Sequence, residues 1–325
     1  MKISIVGTGI IGKVHIRYLQ ELGEEIVALC DTDENKARRV AEEFGLTCPI
    51  FADYSDMLRV QKTDAVHICT PHYLHADMVV TALAQNVHVL CEKPLCIHKE
   101  DIPRILEAEK ASSATLGVCF QNRYNPANRF VKELLAEDPP VGAHGSVVWK
   151  RTDDYYRSAE WRGKWATEGG GVMINQAIHT LDLLLWLMGD PDTVRATVSN
   201  LTHGEVMETE DTAVCFFGGK HPFDLFATVS AETDHPVLLQ IRTESGRRLT
   251  LLPHSVTEGD SVLFSEEAQP VCGKPCYGNS HKRLFADFYA SIREGRPFSL
   301  HGAEGARAVR AVLSIYESKG EMISL

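Results

Sequence analysis

Three glycines, Gly7, Gly9 and Gly12, separate a β-branched run, Lys2 to Val6, from a segment in which Ile11, Val14, Tyr18 and Leu22 recur at helical spacing. Glycines at this spacing also occur in ordinary turns, and a doubly wound domain that has lost its nucleotide keeps them; their place between a strand and a helix carries the reading. There the first glycine permits a tight turn and the second lets the backbone approach a pyrophosphate. The third lets the helix pack closely on the sheet, and the helix N-terminus favours phosphate charge. Gly7, Thr8, Gly9, Ile10, Ile11 and Gly12 are therefore expected to cradle a dinucleotide. The next strand, Ile26 to Cys30, ends on Asp31, where a carboxylate accepts hydrogen bonds from adenosine ribose hydroxyls. Asp31 would repel a 2′-phosphate, and no arginine follows before Arg38 and Arg39. NAD is the expected cofactor and NADP the runner-up.

The pattern then alternates. Helices are expected at Glu34 to Phe44, His75 to Asn86 and Lys99 to Ala111, with strands at Ala65 to Thr70, Val87 to Cys91 and Leu116 to Phe120. Nearly continuous apolar strands between helices predict an α/β, doubly wound parallel sheet over residues 1–122. Beyond a helix from Pro126 to Ala136, the Asp138-Pro139-Pro140-Val141-Gly142 segment reads as a break before a strand from Gly145 to Arg151. One long helix, Val172 to Met188, and strands at Val194 to Leu201, Thr212 to Phe217, Phe223 to Ala231, Leu238 to Thr243 and Arg247 to Leu252 follow. Residues 123–325 thus read as an α+β domain with an open, mostly antiparallel sheet, and its C-terminal helices, Arg283 to Glu294 and Ala303 to Glu317, are expected to pack back on the body. One sheet face needs covering by a helix or a second subunit, so a homo-dimer or homo-tetramer is expected.

A formal net charge of −11 without any Lys/Arg-rich block argues against nucleic acid. No signal peptide and no membrane-length apolar run is read, and nine scattered cysteines suit a reducing cytosol, so the expected location is cytoplasmic. Cys272 and Cys276 are a close pair near His281, but their C-x3-C spacing lacks a second ligand pair and no metal is expected.

Two clusters carry chemistry. Thr70-Pro71-His72-Tyr73-Leu74-His75 and Cys91-Glu92-Lys93-Pro94 follow the carboxyl ends of two strands, where ligands collect in open parallel sheets, so Lys93 is aimed at the crevice. In the second, Glu168-Gly169-Gly170-Gly171 leads into a helix that places Asn175, His179 and Asp182 on one face, beside an apolar stripe of Ile178, Leu181, Leu185 and Met188. A lone helical histidine is more often structural; the glycines before it and the lysine upstream favour catalysis. Tyr155, Tyr156, Trp161 and Trp165 are candidates to stack on an apolar face of a ligand, with core packing as the alternative, and Gln121, Arg123 and Arg151 to bond its polar groups.

Taken together, Gly7 to Gly12, Glu92-Lys93-Pro94 and Gly169 through His179-Thr180-Leu181-Asp182 resemble the glucose-fructose oxidoreductase, inositol dehydrogenase and rhizopine catabolism family over nearly the whole chain. The resemblance implies a Rossmann domain, an oligomerising open-sheet domain, a nicotinamide cofactor and a sugar or cyclitol substrate. It implies that Lys93 and His179 are the catalytic pair, that Thr70, Pro71, His75 and Glu92 stand on the cofactor side, and that Trp161 and Arg162 reach the nicotinamide end. Relatives that oxidise free polyols often carry Asp where this chain has Asn175; an amide holds a hydroxyl but cannot take its proton, so the base role falls to His179. The expected reaction is oxidation of a secondary ring hydroxyl of a sugar, glycoside or cyclitol. Two rivals use the same residues: glycoside cleavage through transient ring oxidation and elimination, and a non-catalytic nucleotide-sensing regulator.

Overall fold

The computed structural model describes residues 1–267 and 280–325, so the Cys272 and Cys276 pair lies outside the described residues. These residues form two compact units, one of 1–121 with 280–306 and one of 122–267 with 307–325.

In the first unit, β1 (Lys2–Val6), β2 (Glu25–Cys30), β3 (Ile50–Phe51), β4 (Ala65–Ile68), β5 (His88–Cys91) and β6 (Leu116–Val118) form a parallel sheet in the order β3-β2-β1-β4-β5-β6. Between them run α1 (Ile10–Glu21), α2 (Glu34–Glu43), α3 (Tyr54–Val60), α4 (His75–Ala84) and α5 (Asp101–Ala111). This is the expected doubly wound sheet. The strand β3 and the helix α3 were not anticipated; two residues are too few for a pattern, and α3 starts from Asp53, whose carboxylate caps the Asp56 N–H at 2.8 Å. The strand order reverses at β1, and Val6 pairs with Cys30 on one side and Ile68 on the other, while Ile68 pairs with Cys91. The segments after these four residues therefore start from one edge of the sheet, at the switch point.

The glycine turn is built by close approach. Gly7 has φ of +87°, its N–H donates to Cys30 O at 2.8 Å, and a methyl group there would collide with the Cys69 carbonyl. At Gly12 a methyl group would collide with the carbonyl of Gly7 itself.

In the second unit come α6 (Pro126–Glu137), β7 (Pro140–Val148), α7 (Asp153–Arg157) and α8 (Ile178–Met188). Then follow β8 (Thr193–Ser199), β9 (Thr212–Gly218), β10 (Phe223–Thr228), β11 (Leu238–Thr243), β12 (Arg248–Leu252), β13 (Ser255–Glu258) and β14 (Ser261–Ser265). The chain continues through α9 (Ser280–Glu294) and α10 (Gly302–Ser318) to β15 (Ile323–Ser324). Among the described residues the second sheet has the order β14-β13-β12-β11-β7-β10-β9-β8-β15, antiparallel except between β7 and β10. Two expectations are corrected. Pro140 opens β7 instead of lying in a break, since a first strand position tolerates the missing N–H. The long helix is not uniform: Met173–Ala177 is a π-helix and only Ile178–Met188 is α-helical.

The apolar α8 packs on β7, while β9 alternates: Ala213, Cys215 and Phe217 are buried, whereas Val214 and Phe216 on its other face are 58% and 46% exposed. Among the described residues no helix is long and apolar enough to cross a membrane. Because a Cβ at position 12 would stand on the Gly7 carbonyl, Gly12→Ala is expected to destabilise the protein by about 1–3 kcal/mol through overpacking, read as a lower denaturant midpoint; an unchanged midpoint would contradict the turn's geometry.

Candidate active site

Asp31 follows β2 and is already engaged. Its Oδ2 accepts from the Thr8 N–H at 2.9 Å, the Thr8 hydroxyl at 2.7 Å and Lys36 Nζ at 2.8 Å, and its Oδ1 accepts from the Asp33 N–H at 3.1 Å. Burial alone would raise its pKa, but Lys36 and the Thr8 donors outweigh it and hold the carboxyl below the usual range. Lys36 escaped sequence reasoning, which searched for arginine; α2 carries it back over its own N-terminus to Asp31.

The turn itself fits a dinucleotide. A Cβ built at Gly9 meets nothing within 4 Å, although those at Gly7 and Gly12 collide with backbone, and Gly9 caps α1 with φ of −73°. The space that any side chain at position 9 would fill lies at the helix N-terminus, where a pyrophosphate is favoured. Ile10, next in the chain, is 58% exposed, and Ile11 is half-buried.

Thr70 and Pro71 are half-buried after β4, and Lys93 is half-buried after β5, with a cis peptide to Pro94. His75 and Glu92 are both buried. The His75 ring is fully buried, with Nδ1 2.7 Å from Pro94 O and Nε2 2.9 Å from Thr70 O, so it ties the two strand-end loops together. Burial would raise the Glu92 pKa, yet His15 and His281 hold its carboxyl well below the usual range, and its Oε2 accepts the Lys93 N–H at 3.2 Å. Gln121 is buried, and its Oε1 has no hydrogen-bond partner among the described residues.

The second unit assembles its own cluster. Arg162 lies over the rings of Tyr155 and Trp161, at 4.3 and 4.7 Å, and donates to the Tyr155 hydroxyl at 2.5 Å. Asn175 and Gln176 donate to the same hydroxyl at 3.4 Å each. The buried Glu168 accepts from the Asn175 amide and from the Gly163 N–H. His179, half-buried, opens α8 just after the π-helix. Neither Glu168 nor Gln176 was assigned a role from sequence.

Further polar and aromatic side chains of this unit have partners within the chain. Arg123 Nε and a terminal nitrogen reach the two Asp182 oxygens at 2.9 and 2.6 Å, a buried bidentate pair beside the Trp186 ring. The π-helix precedes His179, and Asp182, one turn further along α8, is fully buried. Tyr156 is buried edge-on to His203, 5.2 Å between centroids, as a core residue. Arg151 stacks on Trp149 and Tyr155, at 5.1 and 5.6 Å, and its carbonyl lies 2.8 Å from His203 Nε2.

The glycine run is explained by close approach: side chains at Gly170 and Gly171 would collide with the Tyr316 hydroxyl and the Glu210 carbonyl. Glu210 then accepts the N–H groups of Gly171 and Met173 at 2.9 and 3.0 Å, and the Tyr316 hydroxyl at 2.9 Å. It anchors the entrance to the π-helix, which no sequence signal suggested.

A dinucleotide turn at a parallel-sheet switch point, followed by an open mixed sheet, defines an oxidoreductase-type chain with an NAD-binding domain. Residues 1–120 match the family described as "Oxidoreductase family, NAD-binding Rossmann fold", and residues 138–261 match the "GFO/IDH/MocA C-terminal domain". The chain belongs to the Gfo/Idh/MocA family. It is 28% identical over 196 residues to the inositol 2-dehydrogenase of Salmonella typhimurium, an alignment spanning 58% of this chain and 55% of that enzyme. It is 26% identical over 329 residues to the D-xylose 1-dehydrogenase (NADP(+)) 2 of Haloferax volcanii, covering 98% and 97%. The WlbA dehydrogenase of Bordetella pertussis, solved with NADH and UDP-GlcNAcA, superposes with a TM-score of 0.87 at 27% identity, covering 100% of this chain and 98% of that one.

Burial raises Glu210 to about 7, against the hydrogen bonds it accepts from Met173, Gly171 and Tyr316. An acid with a raised folded-state pKa contributes stability that is complete below its unfolded value and lost as pH rises through about 7. Thermal midpoints should therefore fall between about pH 5 and 8 in the wild type and fall less in Glu210→Gln; equal slopes would remove Glu210 from this role.

Proposed function

We propose that the protein oxidises a secondary hydroxyl of a sugar, glycoside or cyclitol, with His179 as the base and Lys93 as the group that holds and polarises the reacting oxygen. The observation that carries the cofactor half is the open Gly9 position between two closed glycines, beside an ionised Asp31. Relatives named for inositol and xylose, and a neighbouring structure solved with UDP-GlcNAcA, support the substrate class.

NAD, when bound, supplies the hydride acceptor. Gly7 to Gly12 and the α1 N-terminus would hold its pyrophosphate, and Asp31 its adenosine ribose. Lys36 beside Asp31 supplies a positive charge that tempers the exclusion of a 2′-phosphate, so NADP is disfavoured less than Asp31 alone implies. An imidazole takes the hydroxyl proton at near-neutral pH, and an ammonium nearby favours the developing alkoxide. Asn175 is an amide fixed by the buried Glu168 and donates towards Tyr155; it orients hydroxyls without exchanging their protons. Gln121, with its buried Oε1 lacking a partner among the described residues, is suited to accept from a substrate hydroxyl. The exposed Val214 and Phe216 on β9 support a homo-oligomer formed through the open sheet.

A panel of sugars, sugar acids, glycosides and inositols with NAD and NADP, followed at the nicotinamide absorbance band and by product analysis, tests this reading. Net reduced cofactor with a ketone product is expected. Glycoside cleavage without reduced cofactor would instead support transient oxidation and elimination, and binding without turnover a regulator. Lys93→Met and His179→Ala should each lower turnover by roughly a hundredfold or more with NADH affinity little changed; an unimpaired variant would remove that residue from the mechanism.

A further inference from the structure

Histidines outside the proposed chemistry converge in the core of the first unit. His15 on α1, His67 on β4, Glu92 after β5, and His281 and Tyr289 on α9 are all buried. Tyr289 Oη lies 2.5 Å from His67 Nε2, His67 Nδ1 lies 2.7 Å from His15 Nδ1, and His15 Nε2 lies 3.0 Å from Glu92 Oε1. The His67 and Tyr289 rings are 8° from parallel, with centroids 5.9 Å apart. Phe285 packs its ring 4.6 Å from His15 and 5.0 Å from His67, closing the cluster on its apolar side. We infer that Tyr289, His67, His15 and Glu92 form one directed hydrogen-bond relay whose carboxylate end clamps the main chain of Lys93, which makes His15 and His67 positioning residues for that lysine.

The direction follows from what each atom can do. An ionised carboxylate only accepts, so His15 donates from Nε2. A neutral His15 then has a lone pair at Nδ1, so His67 donates from Nδ1 and accepts at Nε2, and the Tyr289 hydroxyl donates. Burial lowers the pKa of both His15 and His67, which keeps them neutral. The opposite direction requires an imidazolium at His15, with the imidazoles of His67 and His281 as near neighbours and Glu92 as the anion. The neutral relay gives Glu92 Oε1 an oriented donor, while its Oε2 accepts the Lys93 N–H at 3.2 Å. The backbone carrying Lys93 is thus tied through side chains to β4, α1 and α9. His281 Nε2 stands 3.6 Å from the same Oε1, and the ligand atoms of His15, Glu92 and His281 lie within 4.8 Å of one another, a spacing that also suits a divalent cation. A cation would occupy the His15 Nε2 lone pair and reverse the relay.

Nitrogen-15 NMR of histidine-labelled full-length protein near neutral pH, with metal analysis of the same sample, tests this. His67 should carry its proton on Nδ1 and His15 on Nε2, with no stoichiometric metal. In Glu92→Gln the amide can donate as well as accept, so the His67 spectrum should shift towards the other tautomer although Glu92 makes no hydrogen bond to it. Turnover in that variant should fall roughly ten- to a hundredfold through misplacement of Lys93, with NADH affinity little changed. The kinetic arm rests on the proposed oxidation; the tautomer arm needs no turnover, so failure to find any substrate would count against that function alone. A proton on Nε2 of His67 in the wild type, bound metal, or a His67 tautomer unmoved by Glu92→Gln would each overturn the relay.

Discussion

No β-carbon fits at Gly7 or Gly12, because the carbonyls of Cys69 and Gly7 already stand there. That close approach brings α1 down onto the end of β1 and sets where its N-terminus points. It also draws Thr8 onto Asp31, so that the residue after the first glycine donates twice to the residue after the second strand. The turn is thereby closed on its inner side and open at Gly9, and the rest of the first unit is arranged around that asymmetry. α1 descends from the turn with His15 on its buried face, and His15 meets Glu92 beside Lys93.

Buried charge in this chain is handled by assigning each ionised group a specific donor set. Asp182 has the fork of Arg123, and Glu92 has His15 and the Lys93 N–H, with His281 Nε2 3.6 Å away. Asp211 accepts from the N–H groups of Leu201 and Thr202 and lies 3.1 Å from His203 Nδ1; against its burial these hold it down to about 2. Glu168 and Glu210 do comparable work for loops, accepting from Gly163, Gly171 and Met173 at the approach to the π-helix. Carboxylates that bind backbone N–H groups immobilise irregular segments, which lets a site built on loops keep a fixed shape.

Periodicity made the sheets legible: Ile3 to Val6 and Val89 to Cys91 read as buried parallel strands, and β9 shows the alternation of a half-buried one. The three glycine roles were also readable, since each depends on neighbours within a few residues. The side-chain partners were not. Arg123 and Asp182 are 59 residues apart, and His67 and Tyr289 are 222 apart, so nothing local marks either pair as interior. An arginine among polar residues looks like a ligand for hydroxyls until its partner is seen. The π-helix hid for a related reason: its sequence, Met173 to Ala177, suits an α-helix, and the wider turn coincides with Glu210 binding the N–H groups of Gly171 and Met173. Lys36 was missed because an interaction five residues long was sought only as an arginine.

The open position at Gly9 offers the most direct test of the account. Serine there keeps a good helix cap and its β-carbon meets nothing within 4 Å, so Gly9→Ser should fold with a thermal midpoint within about 3 °C of the wild type. If the space belongs to a pyrophosphate, NADH affinity measured by fluorescence titration should fall about tenfold or more, roughly 1.4 kcal/mol. A well-folded Gly9→Ser protein that binds NADH as tightly as the wild type would contradict it.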